Sequence, residues 1–78
     1  MSHHITLMTR VDCHLCDDAR GVVTQVAAET GTPVEERDVD TDPALRAEYG
    51  DWVPVVLIDG KQHGFFRIDE QRLRRALA

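Results

Sequence analysis

No stretch of this 78-residue sequence approaches the ~18 consecutive apolar residues of a membrane span, which excludes a transmembrane helix. Basic residues are in the minority, nine against fourteen acidic, and the formal net charge is −5. Nucleic-acid binding draws most of its affinity from phosphate contacts. The nearest basic cluster, Arg72, Arg74 and Arg75, is too small to supply them. Neither nucleic acid nor a membrane is therefore expected as a partner. The opening Met1-Ser2-His3-His4 has neither the basic start nor the long apolar stretch of a secretory signal, so a cytoplasmic setting is expected. His3 and His4 read as exposed residues of a frayed start, or as remnants of a purification tag, with no role.

Cysteine is equally scarce. Small secreted domains compensate for a thin core with several disulfides, whereas this chain has only Cys13 and Cys16. Linking them closes a loop of a few residues, and loop-closure stabilisation falls as loops shorten. The pair is poor as a staple, so its purpose is chemical. The remaining composition, 42% apolar and 29% charged, is that of one ordinary globular domain over residues 1–78.

What is present alternates strand and helix. Ile5 to Thr9 interleaves apolar and hydroxyl side chains as a strand does. Apolar residues then recur at Leu15, Ala19, Val22, Val23, Val26 and Ala27, one face of a helix of about four turns, which Gly31 and Pro33 end. Val34 to Val39, interrupted by Glu35, Glu36, Arg37 and Asp38, reads as a charged edge strand. Asp42-Pro43 opens a short helix that stops before Gly50. Val55-Val56-Leu57-Ile58 reads as a strand covered on both faces. Asp59-Gly60 turns it into a hairpin whose second strand runs from Lys61 to Arg67. Phe65 and Phe66 are then expected on opposite faces, in the core. Asp69 caps a last helix, with Ile68 and Leu73 as a hydrophobic staple. The order β-α-β-α-β-β-α predicts an α/β fold with a mixed four-stranded sheet in strand order 2-1-3-4 and helices on both faces.

Cys13-His14-Leu15-Cys16 falls where the first strand hands over to the first helix. Unpaired N–H groups and the positive end of the helix dipole favour a thiolate on Cys13. That thiolate is the nucleophile of thiol–disulfide exchange. Cys16, three residues on, is placed to attack a mixed disulfide on Cys13 and release the product. Asp12, Asp17 and Asp18 oppose the thiolate, while Arg10 and a protonated His14 favour it, so the pKa is expected to fall only moderately. The corresponding reduction potential is nearer ~−270 mV than ~−200 mV. Structural zinc takes four ligands and a lone Cys-x-x-Cys supplies two; His14 lies between the cysteines and His63 on the far hairpin, where it more simply fills a sheet position. No bound metal or other cofactor is expected.

The Cys-x-x-Cys at this junction, together with Trp52-Val53-Pro54 opening the third strand, resembles the glutaredoxin branch of the thioredoxin fold over essentially the whole chain. The resemblance implies a dithiol oxidoreductase that reduces protein or small-molecule disulfides, with Cys13 and Cys16 catalytic. It also implies that Pro54 follows a cis peptide and that Pro54 and the Val53 backbone frame the substrate groove. Trp52 beside them reads equally as a core residue or as a wall of that groove, and His14, between the cysteines, as a substrate-side residue. Arg10 falls where the family keeps a cation for the glutathione carboxylate. Two departures count against glutathione: His14-Leu15 replaces the usual Pro-Tyr, and Gly64-Phe65-Phe66-Arg67 replaces Gly-Gly with its following acid. The stretch from His63 to Asp69 instead looks loosely like the glutaredoxin-like donors to ribonucleotide reductase. The implied partners are a disulfide-containing protein and, as reductant, glutathione or a thioredoxin-reductase-type flavoprotein, acting on a monomer. The rival readings are a glutathione-dependent monothiol reductase, an adaptor without turnover, and a module sharing an iron–sulfur cluster between two chains.

Overall fold

In a computed structural model, which describes residues 2–78, strand β1 spans Ile5–Thr9, helix α1 His14–Thr30 and strand β2 Val34–Asp38. A 3-10 turn, Val39–Thr41, leads to helix α2, Pro43–Tyr49; strands β3, Val55–Ile58, and β4, Lys61–Phe65, then precede helix α3, Glu70–Leu77. The sheet order is β2-β1-β3-β4, with β1 parallel to β2 and the other pairs antiparallel. This is the thioredoxin-type arrangement the sequence predicts.

The alternation in β1 and β3 divides the core in two. Ile5, Leu7 and Val56 face one side, where Ala19, Val23 and Val26 of α1 and Leu73 and Leu77 of α3 cover them. Met8, Val55 and Leu57 face the other, packed with Val39 and with Leu45 and Tyr49 of α2. Burying each large aliphatic side chain contributes about 1.5–3 kcal/mol, so these two clusters supply most of the driving force for folding. Charge decorates rather than drives: Arg74 reaches from α3 to Glu29 and Glu70, and Arg20 from α1 to Glu36 on β2. Such exposed pairs are worth about 0–1 kcal/mol each.

The ends of the elements follow local chemistry. The Asp42 and Asp69 carboxylates accept the Ala44 and Arg72 N–H groups as N-caps, and Gly31 closes α1 in the left-handed conformation at φ 70°. Ile68 joins the same cluster as Leu73, as a staple requires. Asp59 and Gly60 both take positive φ, 53° and 85°, the backbone of a two-residue hairpin.

Three expectations need correction. β2 ends at Asp38, not Val39, because the Asp38 carboxylate accepts the Asp40 N–H and the Asp38 carbonyl accepts the Thr41 hydroxyl. These bonds fold the chain out of the sheet and leave Val39 buried in the core. β4 ends at Phe65 rather than Arg67, and Phe65 and Phe66 are exposed, not core. The register slips between Val56 and Leu57, so that Gly64 and Gln62 are their partners and His63 is the extra residue of a bulge. Phe66 then turns to φ 60°, which brings both rings to the same side. His3, finally, is not frayed: its Nδ1 lies 2.6 Å from Asp59, whose other oxygen accepts the His4 N–H.

Candidate active site

Register brings four loops to one end of the sheet. Thr9 ends β1 opposite Asp38, and Met8 pairs with Val55, which pairs with Phe65. The loop from Arg10 to Cys13, the 3-10 turn, the Val53-Pro54 segment and Phe66 therefore lie together.

Cys13 is the N-cap of α1, with extended backbone at φ −116° and ψ 109°. Its Sγ accepts the backbone N–H of Cys16 at 3.1 Å, the place a Ser or Asp oxygen holds in an ordinary cap. The Cys13 carbonyl accepts the Asp17 N–H, so the cap residue is already tied to the first turn. Cys16 is 0% exposed, while Cys13 is half-buried. The two sulfurs are joined as a disulfide with the Cα atoms 5.2 Å apart, within the range such bridges occupy. The donors at this site are two sulfurs at the mouth of a helix. Among the described residues no group of three or more His, Cys, Asp or Glu side chains is gathered to hold a metal.

The Val53–Pro54 peptide is cis, as the resemblance implies, and Pro54 is buried. The Pro54 carbonyl accepts the Phe66 N–H at 2.9 Å, tying this segment to the chain leaving β4. Val53 leans on the core cluster of Met8, Val39, Val55 and Leu57. Trp52 is exposed and contacts Phe65 and Phe66. His14 is the exposed first residue of α1, and His63 sits in the bulge of β4. Burial and the nearby Arg72 cation hold the His63 imidazole below its ordinary pKa, and Arg72 Nη1 donates to the His63 carbonyl at 2.6 Å.

Arg10 is engaged within the protein. Its Nε donates to Asp40 at 3.2 Å and its Nη1 to the Gly50 carbonyl at 3.3 Å. A free anion would have to compete with both. Sequence reasoning missed this clamp because Asp40 and Gly50 reach Arg10 only through the 3-10 turn and the end of α2. It also missed the surface role of Phe65 and Phe66, for which the one sequence signal was aromatics beside Gly64.

A family model described as a glutaredoxin-like domain (DUF836) matches residues 4–78. Uncharacterized protein Rv0508 of Mycobacterium tuberculosis (strain ATCC 25618 / H37Rv) is 38% identical over 79 aligned positions, covering 95% of this chain and 81% of its own. The X-ray structure of protein XcR50 from X. campestris is similar with a TM-score of 0.77 and 36% identity, over 94% of this chain and 93% of that one. A mutant thioredoxin from Halobacterium salinarum NRC-1 matches with a TM-score of 0.74 and 27% identity, over 97% of this chain and 72% of that one. The chain belongs to the glutaredoxin-like (DUF836) family, built on a thioredoxin fold.

Proposed function

We propose that the protein is a dithiol thiol–disulfide oxidoreductase of the cytoplasm. The observation that carries this reading is the cap itself: Cys13 sulfur receives a helix N–H while Cys16 lies fully buried one turn inside. A donor aimed at that sulfur stabilises a thiolate more than a thiol, which lowers the pKa and raises the fraction of attacking species near neutral pH.

In the reduced protein the Cys13 thiolate attacks one sulfur of a substrate disulfide. A mixed disulfide forms, and the other substrate sulfur leaves as a thiolate that takes up a proton. Cys16 then loses its proton and attacks Cys13 Sγ. This forms the Cys13–Cys16 disulfide and expels the second substrate thiolate, which is protonated in turn. Two electrons pass from protein to substrate, with one proton supplied by Cys16 and one by solvent, and glutathione or a thioredoxin-reductase-type flavoprotein must return the electrons. Val53 and Pro54, beside the site, frame the groove in which the substrate backbone lies, and His14 borders its entrance. Arg10, clamped by Asp40 and Gly50, supports a thioredoxin-reductase-type reductant over glutathione.

Reduction of a generic protein disulfide, assayed with each reductant system supplied separately, tests the reading. Turnover is expected with at least one system, complete loss in Cys13→Ser, and a stable mixed disulfide, visible by mass spectrometry, in Cys16→Ser. Full retention of glutathione-driven activity in Cys16→Ser would replace the dithiol route with the monothiol one. A visible chromophore with bound iron in anaerobically purified protein would favour the cluster module instead.

A further inference from the structure

The chain has only four aromatic residues, and three of them are spent on the surface. Trp52, Phe65 and Phe66 are 50%, 42% and 39% exposed, and each touches the other two, with ring centroids 5.6, 5.8 and 5.0 Å apart. A domain this small would gain stability by burying them. Their grouping also makes a contiguous apolar patch rather than scattered single residues.

The patch adjoins the cysteines. Phe66 bonds through its N–H to Pro54, and it lines a hollow of about 110 Å³ with Leu15, Asp18 and Arg67, Leu15 lying between the two cysteines in sequence. On the other flank, Trp52 and Phe65 line a hollow of about 290 Å³ with Glu48. A carboxylate lines each hollow, Asp18 the first and Glu48 the second, and exposed Asp51 and Asp12 are the sequence neighbours of Trp52 and Cys13. Among the described residues none of these four has an ion-pair partner, nor do Glu35, Asp38, Asp42 and Asp69 elsewhere, whereas Asp17, Glu29, Glu36, Asp40, Asp59 and Glu70 all do. Arg67 offsets one of them, and Arg10 is committed to Asp40. Arg67 and Arg72 line a further hollow with Phe65 on the β4 side, so the acidic border is the Glu48 and Asp51 side.

We infer that this aromatic triad with its acidic rim selects the substrate: a polypeptide disulfide whose cysteine is flanked by a large apolar side chain and by a lysine or arginine. The inference rests on the dithiol reading and specifies its substrate class. The apolar side chain lies against the triad, where aromatic contact adds affinity beyond area alone. The cation meets the unpaired carboxylates, which steer it in and repel an anionic small disulfide such as that of glutathione.

Two synthetic peptides, each closed by one disulfide, provide the test. One carries Phe and Lys beside its cysteine, the other Ser and Glu. Reduced protein freed of reductant is mixed with each, and the peptide dithiol formed in a single turnover is followed by chromatography after an acid quench. The Phe/Lys peptide is expected to react about tenfold faster, equivalent to about 1.4 kcal/mol. That ratio should fall to about twofold in the Trp52→Ala/Phe66→Ala double variant and shrink at high salt, where exposed charges are screened. Reading the ratio cancels any general loss of activity, and the salt series needs no variant at all. Equal rates for the two peptides, or a ratio untouched by salt, would overturn the inference. If the unmodified protein reduces 2-hydroxyethyl disulfide but shows no peptide preference, only the substrate class falls. If it reduces neither that compound nor the peptides, the dithiol reading falls with it.

Discussion

The two ends of the sheet solve the same problem in opposite ways. At the end where β1 begins, the Ile5 N–H bonds to Pro33, the Asp59 N–H to His4, and the Asp59 carboxylate to His3 and the His4 N–H. Left-handed backbone there falls on Gly31, Asp59 and Gly60, glycine or the tolerant Asp, so its cost is low. At the end where β1 stops, positive φ falls not only on Asp12 but on the bulky Phe66, for which it is strained, and three aromatic rings meet solvent. Among the described residues Asp12, Asp18, Glu48 and Asp51 lie there without ion-pair partners, while Asp40 is paired with Arg10. Backbone strain and unsatisfied surface collect where the cysteines are. The closed end is tied together by local hydrogen bonds, and the open end carries the groups that the proposed dithiol chemistry would use.

The largest break in this comparison comes from moving the open end's fault to the closed end. Gly60→Ala places a Cβ in empty space but at φ 85°, so only the backbone resists. Thermal unfolding should show a loss of about 1–2 kcal/mol, with the reduction potential of the cysteine pair unchanged. A parallel change in potential would mean that the two ends are not independent.

The reverse exchange at the open end is smaller. Asp12→Gly relieves a non-glycine φ of 60° and removes a negative charge adjacent to Cys13. Stability is expected to change by less than about 0.5 kcal/mol, because Asp tolerates this conformation and glycine's extra freedom in the unfolded chain offsets the relief. The thiolate is favoured by loss of its like-charged neighbour, so the potential should move upward by about 10–20 mV in a redox-buffer titration. A potential that moved downward would remove Asp12 from the electrostatics of the site.

The smallest effect lies on β4, the strand joining the hairpin to the open end. Burial and Arg72 lower the His63 pKa from 6.5, so the folded state resists the proton that the unfolded state accepts. Stability should therefore decline as pH falls below 6.5 and level off once the folded state is also protonated. Denaturant titrations from pH 7 downward should show this step in the unmodified protein and lose it in His63→Gln. Glu36, held low chiefly by its hydrogen bonds from Arg20, keeps its stabilisation at these pH values and loses it only on further acidification.

Much of this was legible in the sequence, and the reason is local. Caps at Asp42 and Asp69, the Gly31 stop and the Asp59-Gly60 turn depend on residues within a few positions of one another, so the pattern carries them. The strand order followed from parallel and hairpin connections of ordinary length. Cys13 at a helix mouth was equally readable, because strand end and helix start are both periodicity signals. The failures are non-local or turn on one odd residue. A bulge at His63 and a left-handed Phe66 reverse the alternation that assigned Phe65 and Phe66 to the core. The clamp on Arg10 needs Asp40 and Gly50, which adjoin it only once the sheet and α2 are in place.

Direct titration of the Cys13 sulfur tests the central claim. Reduced protein is alkylated with iodoacetamide across pH 4 to 10, and the modified residue is identified by mass spectrometry. Cys13 should react first, with an apparent pKa below the ordinary thiol value of about 8.5, while buried Cys16 stays unmodified. An apparent pKa at or above about 8.5 for Cys13, or prior modification of Cys16, would contradict the account.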